Sequence, residues 1–127
     1  MYEERGSAAA VVHLHSTHSV AVSCLADVDP ANVLPPITAY YVMRVGTLPL
    51  IPYFKPGDLR LADAVRTLAG SHHAVLLANH GPVVAGTSLS AASAAIEELE
   101  ETARLHLLLH GHRTRFLTEE QVRELRG

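Results

Sequence analysis

The sequence predicts a single domain that mixes strands and helices, of the α/β or α+β class. Three observations lead there. Short apolar runs at 8–14, 74–78 and 82–85 have the length and bounding residues of strands. Two other segments, 59–69 and 89–109, repeat apolar residues at helical spacing. The chain has 127 residues, 48% of them apolar, enough for one domain with a sizeable core.

The elements follow in order. Residues 1–7 are polar, and Ala8 opens a strand running to Leu14. On that strand His13 and His15 share a face, with Cβ atoms roughly 6–7 Å apart, and Leu14 points the other way into a core. Ser16 to Ser19 supply N-cap residues for a short helix over 20–26, ended by Asp27 to Pro30. A loop covers 32–36. Residues 39–45, apolar and aromatic, read as a strand or an irregular connection. Residues 48–53 read as a short strand that Pro49 and Pro52 place at a sheet edge. Pro56, Gly57 and Asp58 make a turn and an N-cap for the helix over 59–69, which Gly70 closes. The strand over 74–78 turns back through Asn79 to Gly81 into a second over 82–85. Gly86, Thr87 and Ser88 cap the long helix over 89–109, whose apolar face includes Ala92, Ala95, Ile96, Leu99, Ala103, Leu107 and Leu108. Gly111 ends it. Thr118 and Gln121 have the spacing of a capping box for a last helix.

Charge and composition exclude several functions. The net charge of −3 offers neither a basic footprint for nucleic acid nor a polybasic patch for a membrane. No apolar run is long enough for a transmembrane helix, and the charged start, Met1 to Arg5, lacks the apolar segment of a signal peptide. A single cysteine, Cys24, forms no internal disulfide. The expectation is a soluble cytoplasmic protein.

Nine histidines are the unusual count. His13 and His15 form a His-x-His pair on a strand, and the apolar run ending at Ala78 delivers His80 just before Gly81 and Pro82. Three histidines with one open position match a catalytic rather than a structural zinc site, of the kind that acts on a carbonyl or a developing enolate oxygen. Against this stands the plainer reading of three histidines hydrogen-bonded to their neighbours. His106 and His110, spaced i, i+4 with His112 beyond, form a rival cluster. Their place at a helix C-terminus favours a dipole role instead. His72 and His73 are expected to face solvent. His18 either leans into the site as a substrate contact or caps the following helix. Asn79 either touches substrate or closes its turn, and Gly81 supplies a conformation other residues resist. Tyr40 or Tyr41 offers a phenolic proton, with packing the default, and Cys24 is expected buried and inert. A catalytic metal site also needs an acid/base group. None is evident, because the helix acids from Glu97 to Glu101 mostly read as a solvated face.

The runs Val11-Val12-His13-Leu14-His15-Ser16-Thr17-His18-Ser19 and Leu76-Leu77-Ala78-Asn79-His80-Gly81-Pro82, with the helix around Glu97 to Ala103, resemble the class II aldolase/adducin family. Residues 15–19 and 34–46 are most similar to its 3-oxo-tetronate 4-phosphate decarboxylase branch. The resemblance covers the chain from Ala8 onward. It implies a three-layer α/β/α domain with a central, mostly antiparallel sheet. It implies His13, His15 and His80 as ligands of zinc or another divalent metal, a phosphorylated sugar acid as substrate, and a homotetramer. The catalytic glutamate and the phosphate loops of the family precede the His-x-His pair, before Met1. The chain therefore corresponds to the C-terminal portion of such a domain, N-terminally truncated, and its catalytic residue is not assigned. Three further readings follow: an aldolase or epimerase of the same family, an inactive remnant serving as a metal-binding or oligomerising module, and a His-x-His amidohydrolase. The last needs a barrel of about 250 residues, twice this length.

Overall fold

The computed structural model describes residues 10–69 and 72–126. Its elements run β1 (Ala10–His13), α1 (Thr17–Ser23), α2 (Ala39–Arg44), β2 (Leu50–Ile51), α3 (Leu59–Ala69), β3 (Ala74–Leu77), β4 (Gly81–Gly86), α4 (Leu89–Leu109) and α5 (Glu119–Arg126). The four strands lie in the order β1-β4-β3-β2. β4 pairs antiparallel with both β1 and β3, while β2 joins β3 in parallel. The sheet is thus mixed and mostly antiparallel. β2 sits at its edge, as its flanking prolines require.

Alternation along the strands sends side chains to two apolar layers. Ala74, Leu76 and Val84, with Val12 and Leu50, face α4 through Ala95, Ile96, Leu99 and Ala103. Val22 of α1 and Tyr41 of α2 complete that layer. Val75, Leu77 and Val83, with Ile51, face Leu61, Ala64, Val65 and Leu68 of α3. Helices on both sides of one sheet give the α/β/α sandwich.

Local chemistry starts and stops these helices. The Asp58 carboxylate accepts from the Arg60 N–H at 2.8 Å. The Ser88 hydroxyl accepts from the Ala91 N–H at 3.1 Å. Thr118 and Gln121 bond reciprocally at 3.0 and 3.2 Å, a capping box. Gly111 takes a φ of 80° just past α4. No helix among the described residues is long and apolar enough to cross a membrane.

Several expectations are corrected. Residues 39–44 form a helix, not a strand. The Thr38 hydroxyl caps it by accepting from the Tyr41 N–H at 3.2 Å, and Tyr41, Val42 and Val45 turn inward at helical spacing. α1 begins at Thr17 and ends at Ser23, three residues earlier at each end than the apolar run suggests. Leu14 is 46% exposed rather than buried, because the β1 ladder stops at His13 and alternation ends with it. Cys24 is exposed at the C-cap of α1. His72 and His73 are half-buried, and His73 Nε2 donates to the Arg44 carbonyl at 2.9 Å. Leu108 faces out, whereas Leu107 packs against the core. The expected strand start at Ala8 and the helix stop at Gly70 lie outside the described residues.

Gly86 lies where β4 passes under α4. A Cβ there would stand 2.6 Å from the Ala92 nitrogen and 2.9 Å from its Cα, and backbone cannot yield as a flexible side chain does. Gly86→Ala is expected to destabilise the fold by about 1–3 kcal/mol in denaturant unfolding. An unchanged midpoint would show that the strand and helix separate without cost.

Candidate metal centre

Three chain segments converge at one end of the sheet. β1 ends at His13, opposite Val83 in the antiparallel ladder. The His13 Nδ1–H donates to the Pro82 carbonyl at 2.7 Å. That bond selects the tautomer and leaves Nε2 with a free lone pair. His15 follows two residues beyond the end of the ladder. His80 stands on the turn joining β3 to β4, where its N–H donates to the Leu77 carbonyl at 3.1 Å. Asn79 makes that turn possible with a φ of 56°, a conformation that asparagine tolerates better than most residues. Its N–H donates to the Ser23 carbonyl at 3.0 Å, tying the turn to α1. Gly81 is required by close approach: a Cβ would meet the Leu14 carbonyl oxygen at 2.8 Å.

The three Nε2 atoms form a nearly equilateral triangle. His13 and His15 are 3.2 Å apart, His13 and His80 3.3 Å, and His15 and His80 3.1 Å. Zinc bonded tetrahedrally to imidazole nitrogens at about 2.0–2.1 Å would hold them about 3.3 Å apart. Hydrogen bonding alone cannot satisfy this triangle. In neutral imidazole Nε2 either donates or accepts. Three such atoms in a ring must place two alike against each other, so one edge is always repulsive. A cation at the centre satisfies all three lone pairs at once. Burial, then the proximity of His13 and His15, lowers the His80 pKa and favours the neutral form that a metal needs. The donor set therefore fits a divalent metal ion.

Beside the triangle lies an open cleft of about 660 Å³. His15 and His80 form one side, and Thr17, Tyr53 and Asn79 bring polar groups around it. Asn79 thus both closes its turn and lines the cleft. His18 does not line it; its Nδ1 engages Glu100 at 2.8 Å. Tyr41 is fully buried, and burial pushes its phenol pKa up, which removes it as a proton donor. Tyr40 is exposed, with the Arg44 guanidinium 5.0 Å from its ring centroid. His106, His110 and His112 line a separate cleft of about 200 Å³ with Phe116. Among the described residues, the group of three or more potential ligands drawn within 4.8 Å of one another is His13, His15 and His80.

Glu100 was not legible as part of this region. It sits on α4 in a run of acids, of which Glu97 and Glu101 are exposed and Glu98 pairs with Arg44, and its carboxylate reaches the start of α1. Oε2 accepts from the His18 N–H at 3.1 Å and from His18 Nδ1 at 2.8 Å. Oε1 accepts from the Ser19 N–H at 2.8 Å and from the Ser19 hydroxyl at 2.7 Å. Burial raises the pKa of this carboxyl, but the bonds from Ser19 and His18 outweigh burial and hold it below the usual range. Helical periodicity does place Glu100 one residue from Leu99, at the border of the buried stripe. Only the partners, His18 and Ser19, 82 and 81 residues away in sequence, turn that border position into a clamp.

Residues 1–107 match the family described as the Class II Aldolase and Adducin N-terminal domain. The chain is 51% identical over 127 residues to the 3-oxo-tetronate 4-phosphate decarboxylase of Escherichia coli K12, covering all of this chain and 60% of that protein. It is 35% identical over 131 residues to the L-fuculose phosphate aldolase of Haemophilus influenzae, covering all of this chain and 58% of that protein. The crystal structure of YgbL from Escherichia coli superposes with a TM-score of 0.97 at 51% identity, covering 99% of this chain and 61% of that one. The chain thus spans about 60% of the length of the curated decarboxylases it matches.

The lowered pKa of His80 has a consequence for the metal-free protein. Its folded-state pKa lies below its unfolded value, so on acidification the unfolded chain takes up the proton first. No penalty exists above the ordinary imidazole range; stability is lost as pH falls through and below it. Urea unfolding at about pH 7.5 and about pH 5.5 should show a smaller loss for His80→Ala than for the wild type, since the titrating group is gone. Identical losses would place the pH dependence elsewhere.

Proposed function

The chain belongs to the class II aldolase and adducin N-terminal domain family, and on that footing we propose that it is the metal-carrying part of a carbon–carbon lyase that decarboxylates a 3-oxo-tetronate 4-phosphate. The observation that carries the metal reading is the Nε2 triangle with edges of 3.1–3.3 Å, fixed at His13 by its bond to Pro82. The substrate reading is supported by 51% identity to proteins of that name, against 35% to a fuculose phosphate aldolase.

In this reading His13, His15 and His80 hold zinc or another divalent ion. When bound, the ion supplies Lewis acidity that stabilises negative charge developing on the substrate's keto oxygen. The protein's own groups then orient the substrate. The Asn79 amide and the hydroxyls of Thr17 and Tyr53 face the cleft where a polyhydroxylated acid would lie, and Val20 and Pro56 form its apolar wall. Loss of CO₂ from a 3-oxo acid sends the bonding electrons toward the ketone and requires a proton afterwards. Retro-aldol cleavage instead begins by removing a hydroxyl proton, which demands a base. The two activities therefore make different demands on the same metal centre. We further read the protein as a cytoplasmic homotetramer, in which Tyr40 and Met43, exposed three residues apart on α2, would contribute to a contact between copies.

Metal analysis of protein purified without added zinc tests the centre. Close to one divalent ion per chain is expected, with at least tenfold less in His80→Ala. Equal content in both would remove the site. Turnover assays with phosphorylated 3-oxo sugar acids and with fuculose phosphate test the chemistry. Faster decarboxylation than aldol cleavage is expected, and the reverse order would transfer the assignment to the aldolases.

A further inference from the structure

We propose that Glu100, on α4, is a positioning residue for the metal centre: its carboxylate anchors the segment that carries His15 and so holds the third ligand in place. This rests on the reading of His13, His15 and His80 as metal ligands.

The three histidines are not equally secured. His13 is held twice, by the β1–β4 ladder and by its Nδ1–H bond to Pro82. His80 is held by the turn that bonds it to Leu77 and binds Asn79 to Ser23. His15 has neither support. It lies two residues past the last ladder pair, and among the described residues no carbonyl or carboxylate engages its Nδ1. Its place depends on what holds the chain on its far side, which is the first turn of α1.

That turn lacks its own cap. Ser16 stands at the N-cap position, but its side chain makes no capping bond. The exposed first-turn N–H groups of a helix need acceptors, and a negative charge there is favoured by the helix dipole. Glu100 supplies both, taking the N–H groups of His18 and Ser19 and both of their side chains. Glu100 is itself carried between Ile96, Leu99 and Ala103, which are buried against the sheet. Ser19 is fully buried beneath it. The result is a rigid path from the core, through Glu100, to the residue three positions after His15. Loss of the carboxylate frees the start of α1, and the ligand without support of its own is the one that drifts.

A role confined to stability would weaken metal binding regardless of whether His15 is present. A role exercised through His15 vanishes once His15 is gone, and this difference is measurable as a double-mutant cycle. The probe is zinc alone, titrated against a chromophoric chelator, with cobalt absorption reporting ligand number and geometry. The proteins are the wild type, Glu100→Gln, His15→Ala, the double variant of these two, and His80→Ala. The glutamine keeps the size of the side chain and one acceptor oxygen, so it carries the test even where Glu100→Ala fails to fold. Glu100→Gln is expected to weaken zinc binding by about 10- to 100-fold and to lower the intensity of the cobalt bands. In the His15→Ala background the same change is expected to cost less than about threefold. An equal loss in both backgrounds, or no loss in either, overturns the proposal. Zinc binding that His80→Ala leaves untouched would instead overturn the metal reading itself.

Discussion

The antiparallel pairing of β1 with β4 is the constraint on which the site depends. It sets His13 opposite Val83, and so beside the turn that carries His80, although the two histidines are 67 residues apart in sequence. The pairing is close enough that the Leu14 carbonyl passes over Gly81 with no room for a side chain. A register slip of one residue would turn Val12 and His13 to opposite faces, emptying both the core position and the ligand position. The register of β1 on β4, which sends Val12 inward to the core, therefore fixes the metal geometry as a by-product of fixing the core.

Electrostatics makes this arrangement unfavourable by itself. Three imidazole nitrogens within 3.3 Å cannot all find a donor, and the shift at His80 reflects burial and two neighbouring rings that resist further positive charge. Local strain of this kind persists only where the surrounding structure over-determines it. Here the determinants are strand pairing on one side and the Asn79 turn on the other.

α4 joins the core to the site. Its inward stripe packs on the sheet through Ile96, Leu99 and Ala103, and the residue at the edge of that stripe, Glu100, reaches the start of α1. One helix thus contributes both to apolar burial and to placing a segment that no strand holds. A short helix such as α1, seven residues long, is marginal alone and takes its stability from such tertiary partners.

The sequence by itself determined those features whose physics is local. Short bounded apolar runs marked β3 and β4, helical periods marked α3 and α4, and cap chemistry marked Asp58, Ser88 and Thr118. The two histidine-bearing motifs, centred on residues 13–15 and 80, were visible because their types and spacing are unusual in packing. Tertiary structure decided the rest. Residues 39–44 carry an apolar pattern that suits strand or helix, and a cap from Thr38 together with burial against α4 settled it as helix. Leu14 faces outward because the ladder ends one residue before it, although β4 itself runs on past Val83 to Gly81. Glu100 looks like its acidic neighbours along the chain and is set apart by having His18 and Ser19 opposite it. A carboxylate's role follows from the donors it meets, and those donors come from the other end of the chain.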